Sequence, residues 1–246
     1  MSHVYCCSDL HGQYGLWEMV KDIVYADNSF CYILGDCVDR GPEGFKILKE
    51  VLKDKEHFSL ICGNHEQMFA ESMRVKHCTR IHMFNGGEPT VTAWETDGSD
   101  EKYIDIIDQL PKWLRYDNKN GEVIILSHSG FTPLPQLGLP DYDEDFIWNR
   151  EHFDDEWDEE GGMDNVVLIH GHTPVPLLSH YCYEYMIDKS GKKPSPGAYF
   201  YCKDSKGKAH KIDIDGGCFF TGSLPLIDLD TWEQNVLFDA NSVFED

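Results

Sequence analysis

Positive charge is scarce in this chain: 21 Lys and Arg stand against 44 Asp and Glu in 246 residues, a formal net charge of −23. Such a surface repels phosphate backbones and anionic headgroups, which excludes nonspecific nucleic-acid binding and electrostatic membrane attachment. Long apolar runs are missing too. None approaches the ~18 residues that cross a bilayer, and the opening MSHVYCCSD enters a strand pattern directly, so no leader and a cytoplasmic location are expected. The nine cysteines include no Cys-x-x-Cys pair, and their odd number points to reduced thiols in place of a disulfide framework or a structural zinc site. Six of them, Cys6, Cys7, Cys31, Cys62, Cys202 and Cys218, sit in or beside strand-like runs and read as small buried hydrophobes. No repeat, low-complexity tract or linker divides the chain. One domain over residues 1–246 is therefore expected, with a well-buried core.

What the sequence does have is a β-α-β-α-β pattern at its start. Residues 3–8 and 30–34 read as strands, and 58–62 as a third. Between them, Leu16, Val20, Ile23 and Val24 mark one amphipathic helix, while Phe45, Leu48, Val51 and Leu52 mark another over 43–54. This predicts a parallel or mixed sheet covered by helices. Residues 66–115 read as mostly helical, interrupted at Asn85-Gly86-Gly87. Residues 123–126 and 166–169 read as strands, and 181–187, 199–202 and 224–229 as an antiparallel extension of the core.

The stretch Gly35-Asp36-Cys37-Val38-Asp39-Arg40-Gly41 is a strand-to-helix turn holding two carboxylates and a guanidinium within five residues. A loop that only reversed direction would use Asn, Ser or Pro. Such crowding asks for a divalent cation beside the acids and a phosphate beside Arg40. Asp9, Asp36 and Asn64 follow successive strands at spacings of 27 and 28 residues, near the length of a βαβ unit. That repeat brings them to one sheet edge, at the carboxyl ends of the strands where open α/β folds place their sites. Ser127-His128-Ser129-Gly130 and Gly171-His172-Thr173-Pro174 end two more apolar runs. Mixed oxygen and imidazole donors suit transition metals better than calcium.

The ordered set Asp-x-His-Gly, Gly-Asp-x-Val-Asp-Arg-Gly, Gly-Asn-His-Glu, a later His and Gly-His-Thr-Pro, spread over residues 8 to 174, resembles the phosphoprotein phosphatase family of dinuclear metallophosphatases. IWNRE at 147–151 and Asn85-Gly86-Gly87 resemble especially its small bacterial and bacteriophage serine/threonine phosphatases. The resemblance implies an α/β metallophosphoesterase fold of the calcineurin-like kind, a central mixed β-sandwich flanked by helices. It implies two divalent transition metals, manganese first, with iron or zinc also suited. Asp9 and His11 would hold one, Asp36 would bridge, and Asn64, His128 and His172 would hold the other. Arg40, Arg150 and Asn64 would grip the phosphate. His65, oriented by Asp39, would protonate the leaving group.

The implied reaction is hydrolysis of phosphoserine and phosphothreonine in a phosphoprotein or phosphopeptide substrate. A hydroxide activated between the two metals would attack in line. A dinucleoside tetraphosphatase or a hydrolase of nucleotide-capped RNA shares that chemistry. A catalytically silent metal-binding or phosphoprotein-binding module would need none of His65, Asp39, Arg40 and Arg150. His172 is preferred to His170 as a ligand because His170 lies within the strand. Glu66 reads as a helix-start residue favouring the N-terminal dipole. Ser8 stands where the family usually has Gly. Two charged stretches remain: the acidic residues of 141–160, read as a solvated loop or a rim selecting basic phosphosites, and the Lys-rich 180–211, read as a solvated hairpin or a flap. Cys37 and Cys62 lie within two residues of the proposed ligands, as inert core thiols or as points of oxidation.

Overall fold

Alternation along the first strand decides how the layers stack. In β1 (Val4–Cys7), Tyr5 and Cys7 face helices while Cys6 faces a second sheet, as a period of two requires. The protein was analysed as a computed structural model, and its described residues are 3–75, 78–131, 145–150, 166–180, 200–203 and 209–242. After β1 come α1 (Tyr14–Ala26), β2 (Phe30–Ile33), α2 (Gly44–Lys53), β3 (Phe58–Leu60), α3 (Asn64–Arg74), α4 (Thr79–Phe84), α5 (Glu88–Thr96) and α6 (Lys102–Asp108). Then follow β4 (Trp113–Asp117), β5 (Val123–Ser127), α7 (Asp145–Trp148), β6 (Val166–His170), β7 (Phe200–Lys203), β8 (Ala209–Asp213), α8 (Cys218–Thr221), β9 (Ser223–Asp228) and β10 (Gln234–Phe238).

The strands form two five-stranded sheets, β10-β9-β1-β2-β3 and β4-β5-β6-β8-β7. In the first, β1, β2 and β3 run parallel and β9 joins antiparallel to β1. In the second, β5, β6 and β8 run parallel, with β4 and β7 antiparallel at the edges. Cys6, Leu34, Ile61, Leu126, Ile169 and Ile227 pack together between the sheets. Leu16, Trp17 and Val20 of α1, with Ile47, Leu48 and Val51 of α2, cover the outer face of the first sheet. Burying such side chains contributes roughly 1.5–3 kcal/mol each. This is the expected α/β metallophosphoesterase fold, a mixed β-sandwich flanked by helices.

Three expectations need correction. Residues 113–117, read within a helical stretch, form β4, because Leu114 and Tyr116 alternate toward the core while Arg115 and Asp117 face solvent. The C-terminal strands are not one antiparallel extension: β9 and β10 complete the first sheet, and β8 joins the second in parallel. β8 and β10 were not anticipated. The strand expected at 181–187 lies outside the described residues, as do most of 141–160 and 180–211. No helix among the described residues is long and apolar enough to cross a membrane.

Candidate metal centre

Every proposed ligand follows the carboxyl end of a strand: Asp9 and His11 after β1, Asp36 after β2, Asn64 after β3, His128 after β5, and His172 after β6. Both sheets contribute, so the site lies across the open end of the sandwich. Asp9, His11, Asp36, Asp39, Arg40 and His172 have φ of 58°, 42°, 55°, 68°, 62° and 71°. Left-handed backbone is costly for residues with a Cβ and persists only where neighbours impose it. Here the loops after β1 and β2 are zipped together: Asp9, His11 and Gly12 N–H donate to the carbonyls of Gly35, Asp36 and Cys37 at 3.1, 2.8 and 3.0 Å.

The donor atoms meet without protons to share. His11 Nδ1 donates to the Val38 carbonyl at 3.0 Å, which leaves a lone pair on Nε2. That buried nitrogen has no hydrogen-bond partner and stands 3.6 Å from Asp36 Oδ2 and 3.9 Å from Asp9 Oδ1. His128 Nδ1 donates to the Leu34 carbonyl at 2.7 Å, and its Nε2 faces Asn64 Oδ1 at 2.8 Å, His172 Nδ1 at 3.1 Å and Asp36 Oδ2 at 3.4 Å. Two ligands of one transition metal sit roughly 3–3.5 Å apart, given bond lengths of about 2.0–2.2 Å. Asp36 belongs to both sets of ligand atoms that lie within 4.8 Å of one another, one with His11 and His65 and the other with His128 and His172. The residues thus fit two cations sharing one carboxylate, and the fit rests on acceptors facing acceptors in a buried site.

The titration shifts agree. Burial, then Arg40, holds His11 well below the ordinary imidazole range, and burial, then His128, does so for His172. Burial alone would lower His128, but the Asp36 carboxylate raises it to about 9. Burial opposes ionisation of Asp36, yet His128 and His65 hold its carboxyl well below the carboxylate range. The pocket demands positive charge, and without an ion a proton on His128 answers.

Asp9 is placed by the residue that departs from the family pattern. Ser8 Oγ donates to Asp9 Oδ2 at 2.6 Å, and His172 N–H donates to the same oxygen at 2.9 Å. Oδ1 is left facing His11. Gly171 makes this possible, since a Cβ there would collide with Asp9 Oδ2 and Ser8 Oγ. His172 reaches the ligand group and His170 does not: His170 is buried in β6, and burial drives its imidazole down to about 3.

Beside the ligands, His65 Nδ1 donates to Asp39 Oδ2 at 2.8 Å and its Nε2 accepts from Arg40 Nη2 at 3.1 Å. His65 Nε2 also lies 3.9 Å from Asp36 Oδ2. Arg150 is half-buried, and its Nη2 donates to the His172 carbonyl at 3.3 Å. All the residues proposed from sequence therefore lie at this end of the sandwich.

Two residues were missed. Glu66 is more than a helix-start charge. Its Oε2 accepts from Asp36 and Gly63 N–H at 2.8 and 2.9 Å, and its Oε1 from Cys37 N–H at 2.7 Å. It ties the metal loop to the start of α3, and burial, then Asp36, pushes its carboxyl up to about 7. The capping-box spacing, Glu at the third helical position, was the available signal. The other is His82, whose Nε2 donates to Asp39 at 2.9 and 3.0 Å. Cys37 and Cys62 are buried. Burial pushes the first thiol well above its ordinary value and the second up to about 12, which makes poor nucleophiles of both.

A sandwich with two ligand groups sharing a carboxylate at its open end has the make-up of a metallophosphoesterase. The chain belongs to the calcineurin-like phosphoesterase family, whose model matches residues 2–203. Among curated proteins it is 28% identical over 140 residues to the symmetrical bis(5'-nucleosyl)-tetraphosphatase of Delftia acidovorans, covering 53% of this chain and 45% of that protein. It is 27% identical over 113 residues to serine/threonine-protein phosphatase 2 of Escherichia coli, covering 45% and 48%. The chain spans about half the length of the curated relatives it matches. The crystal structure of a cold-active protein-tyrosine phosphatase from a Shewanella species superposes with a TM-score of 0.54 at 16% identity, covering 96% of this chain and 80% of that one. That likeness shows the fold.

Proposed function

We propose that this protein is a phosphomonoesterase that binds two divalent transition metals and hydrolyses phosphoserine and phosphothreonine in proteins. The observation that carries the reading is the His65–Asp39 pair, 2.8 Å long and buried beside the shared carboxylate. Retaining metal requires no such pair. A serine or threonine alkoxide is a poor leaving group and needs a proton, whereas a nucleoside diphosphate leaves readily.

Bound at the two ligand groups, divalent ions supply Lewis acidity and lower the pKa of a bound water toward neutrality. The chain's own residues do the rest. Arg40 and Arg150 offer guanidinium forks to the phosphate oxygens. A phosphate that takes Arg40 Nη2 draws it off His65 Nε2, and the freed nitrogen takes up a proton from solvent, which it passes to the ester oxygen. Asp39 orients that ring and stabilises its protonated form, the usual task of a carboxylate behind an imidazole.

The second reading is symmetrical cleavage of dinucleoside tetraphosphates, favoured by the name of the Delftia relative. The net charge of −23 weighs against so anionic a substrate. A manganese-reconstituted panel of a phosphoserine peptide, para-nitrophenyl phosphate and diadenosine tetraphosphate tests both. We expect the peptide to outpace the dinucleotide in kcat/KM. The reverse order replaces the first reading with the second, and metal-independent or absent turnover overturns both.

A further inference from the structure

His82 is fully buried and touches neither ligand group, yet it is hydrogen-bonded to the carboxylate that orients His65. We propose that His82 is a positioning residue: it straddles both oxygens of Asp39 and so fixes the angle at which Asp39 holds the His65 ring. The inference rests on His65 acting as the leaving-group acid.

Four observations carry it. Asp39 Oδ2 accepts from His65 Nδ1 at 2.8 Å and from His82 Nε2 at 2.9 Å, while Oδ1 accepts from His82 alone among the described residues, at 3.0 Å. Without His82, one oxygen of a buried carboxylate would have no partner among the described residues, an unfavourable state that rotation of Asp39 would relieve at the expense of His65. Second, His82 is itself anchored, its Nδ1 lying 2.9 Å from Ser72 Oγ.

Third, the chain of contacts closes on one element. His65 and Ser72 both belong to α3, seven residues and therefore about two turns apart on one face. The route His65–Asp39–His82–Ser72 spans a fixed length of helix, so its joints cannot drift independently. Fourth, the backbone has been cleared for the imidazole. A Cβ at Gly87 would strike the His82 ring, and in the same turn the Gly86 carbonyl accepts from Arg40 N–H at 2.9 Å. Thr90 Oγ1 meanwhile accepts from Asp39 N–H at 2.8 Å. The Asn85-Gly86-Gly87 turn and its flanking helices thus clamp Asp39 and Arg40 from behind.

The test uses the full chain reconstituted with manganese, comparing wild type with His82→Ala, His82→Gln and Ser72→Ala on a phosphoserine peptide and on para-nitrophenyl phosphate. His82→Ala is expected to lower kcat on the peptide by ~10–100-fold, the range for partners that orient a site imidazole, with KM and metal content unchanged and a much smaller loss on the aryl ester. Gln, whose amide N–H donates to Asp39, should recover most of the loss. Ser72→Ala should show a weaker version of the same pattern. In the metal-free protein, the His65 Nδ1 proton signal in ¹⁵N-histidine spectra should move in His82→Ala and return in His82→Gln. Wild-type kcat in His82→Ala overturns the proposal, as does equal loss on both esters that Gln fails to recover. If His82→Ala does not fold, an unchanged kcat on the peptide for Ser72→Ala overturns it. A wild type inactive on both esters removes the functional reading, and the His65 proton then decides the positioning role alone.

Discussion

Two clusters of histidine and carboxylate lie side by side behind the same strand ends, and they are closed in opposite ways. Around Asp39, lone pairs meet N–H groups: His65 and His82 donate to its oxygens, and Thr90 accepts its own N–H. Around Asp36 the balance is different: the buried Nε2 of His11 has no hydrogen-bond partner and faces its carboxylate at 3.6 Å, and His128 Nε2 stands 3.4 Å from the same oxygen. The residue types are the same. What separates a rigid hydrogen-bonded support from an ion-binding site is where the protons have been placed by backbone carbonyls, those of Val38 and Leu34 fixing the tautomers of His11 and His128.

The sharpest way to break this contrast is Asp36→Asn, which removes the shared charge. Metal binding by calorimetry should fall in both groups, and turnover should drop to the level of the metal-stripped protein. His65→Ala acts on the other cluster. Metal content should persist while kcat on an alkyl phosphate falls by ~10²–10⁴, with a smaller loss on an aryl phosphate. A parallel fall in metal content would erase the distinction.

Glu66 joins the two clusters, so Glu66→Gln should touch both: a loss of ~1–3 kcal/mol from the N–H groups left poorly matched and metal affinity weaker by ~10–100-fold. It also carries a pH signature. Native Glu66 keeps its proton up to about 7, while the ordinary value is 4.5. Between those values the native state binds more protons than the unfolded chain, so this group makes the metal-stripped protein less stable as pH rises from 4.5 to 7. Melts of the Gln variant should lack that component of the slope. The smallest effect is expected far from either cluster. Arg74→Ala, which breaks exposed pairs with Asp105 and Asp108, should cost under ~1 kcal/mol and leave kcat unchanged.

The residues proposed as ligands could be picked out because each sits in a short motif where an apolar run ends, and the structure brings them to one end of the sandwich. Apolar runs and period-3.6 patterns also placed β1, α1, β2, α2, β3, β5, β6, β7 and β9. What escaped was what depends on distant partners. Glu66 was seen as a local helix charge, since nothing nearby shows that its oxygens serve a loop 30 residues earlier. His82 lies 43 residues from Asp39 in a six-residue helix, without any spacing that marks it. β10 exposes Val236 and Phe238, so its edge position hid the alternation that a buried strand displays. β8, Ala-His-Lys-Ile-Asp, looked like polar loop, yet Lys211 and Asp213 are buried within it.

The place of β9 has a consequence for how the protein is made. It lies against β1, a strand synthesised long before it, and Cys218 just before it donates its thiol to the Asp9 carbonyl. A nascent chain therefore carries all five motif loops while β1 still presents an open edge, the kind of surface that invites pairing with other chains. Translation must run past residue 228 before that flank is sealed. The site comes together late in the chain's synthesis, and a chain released early would carry the motif residues without the framework that aligns them.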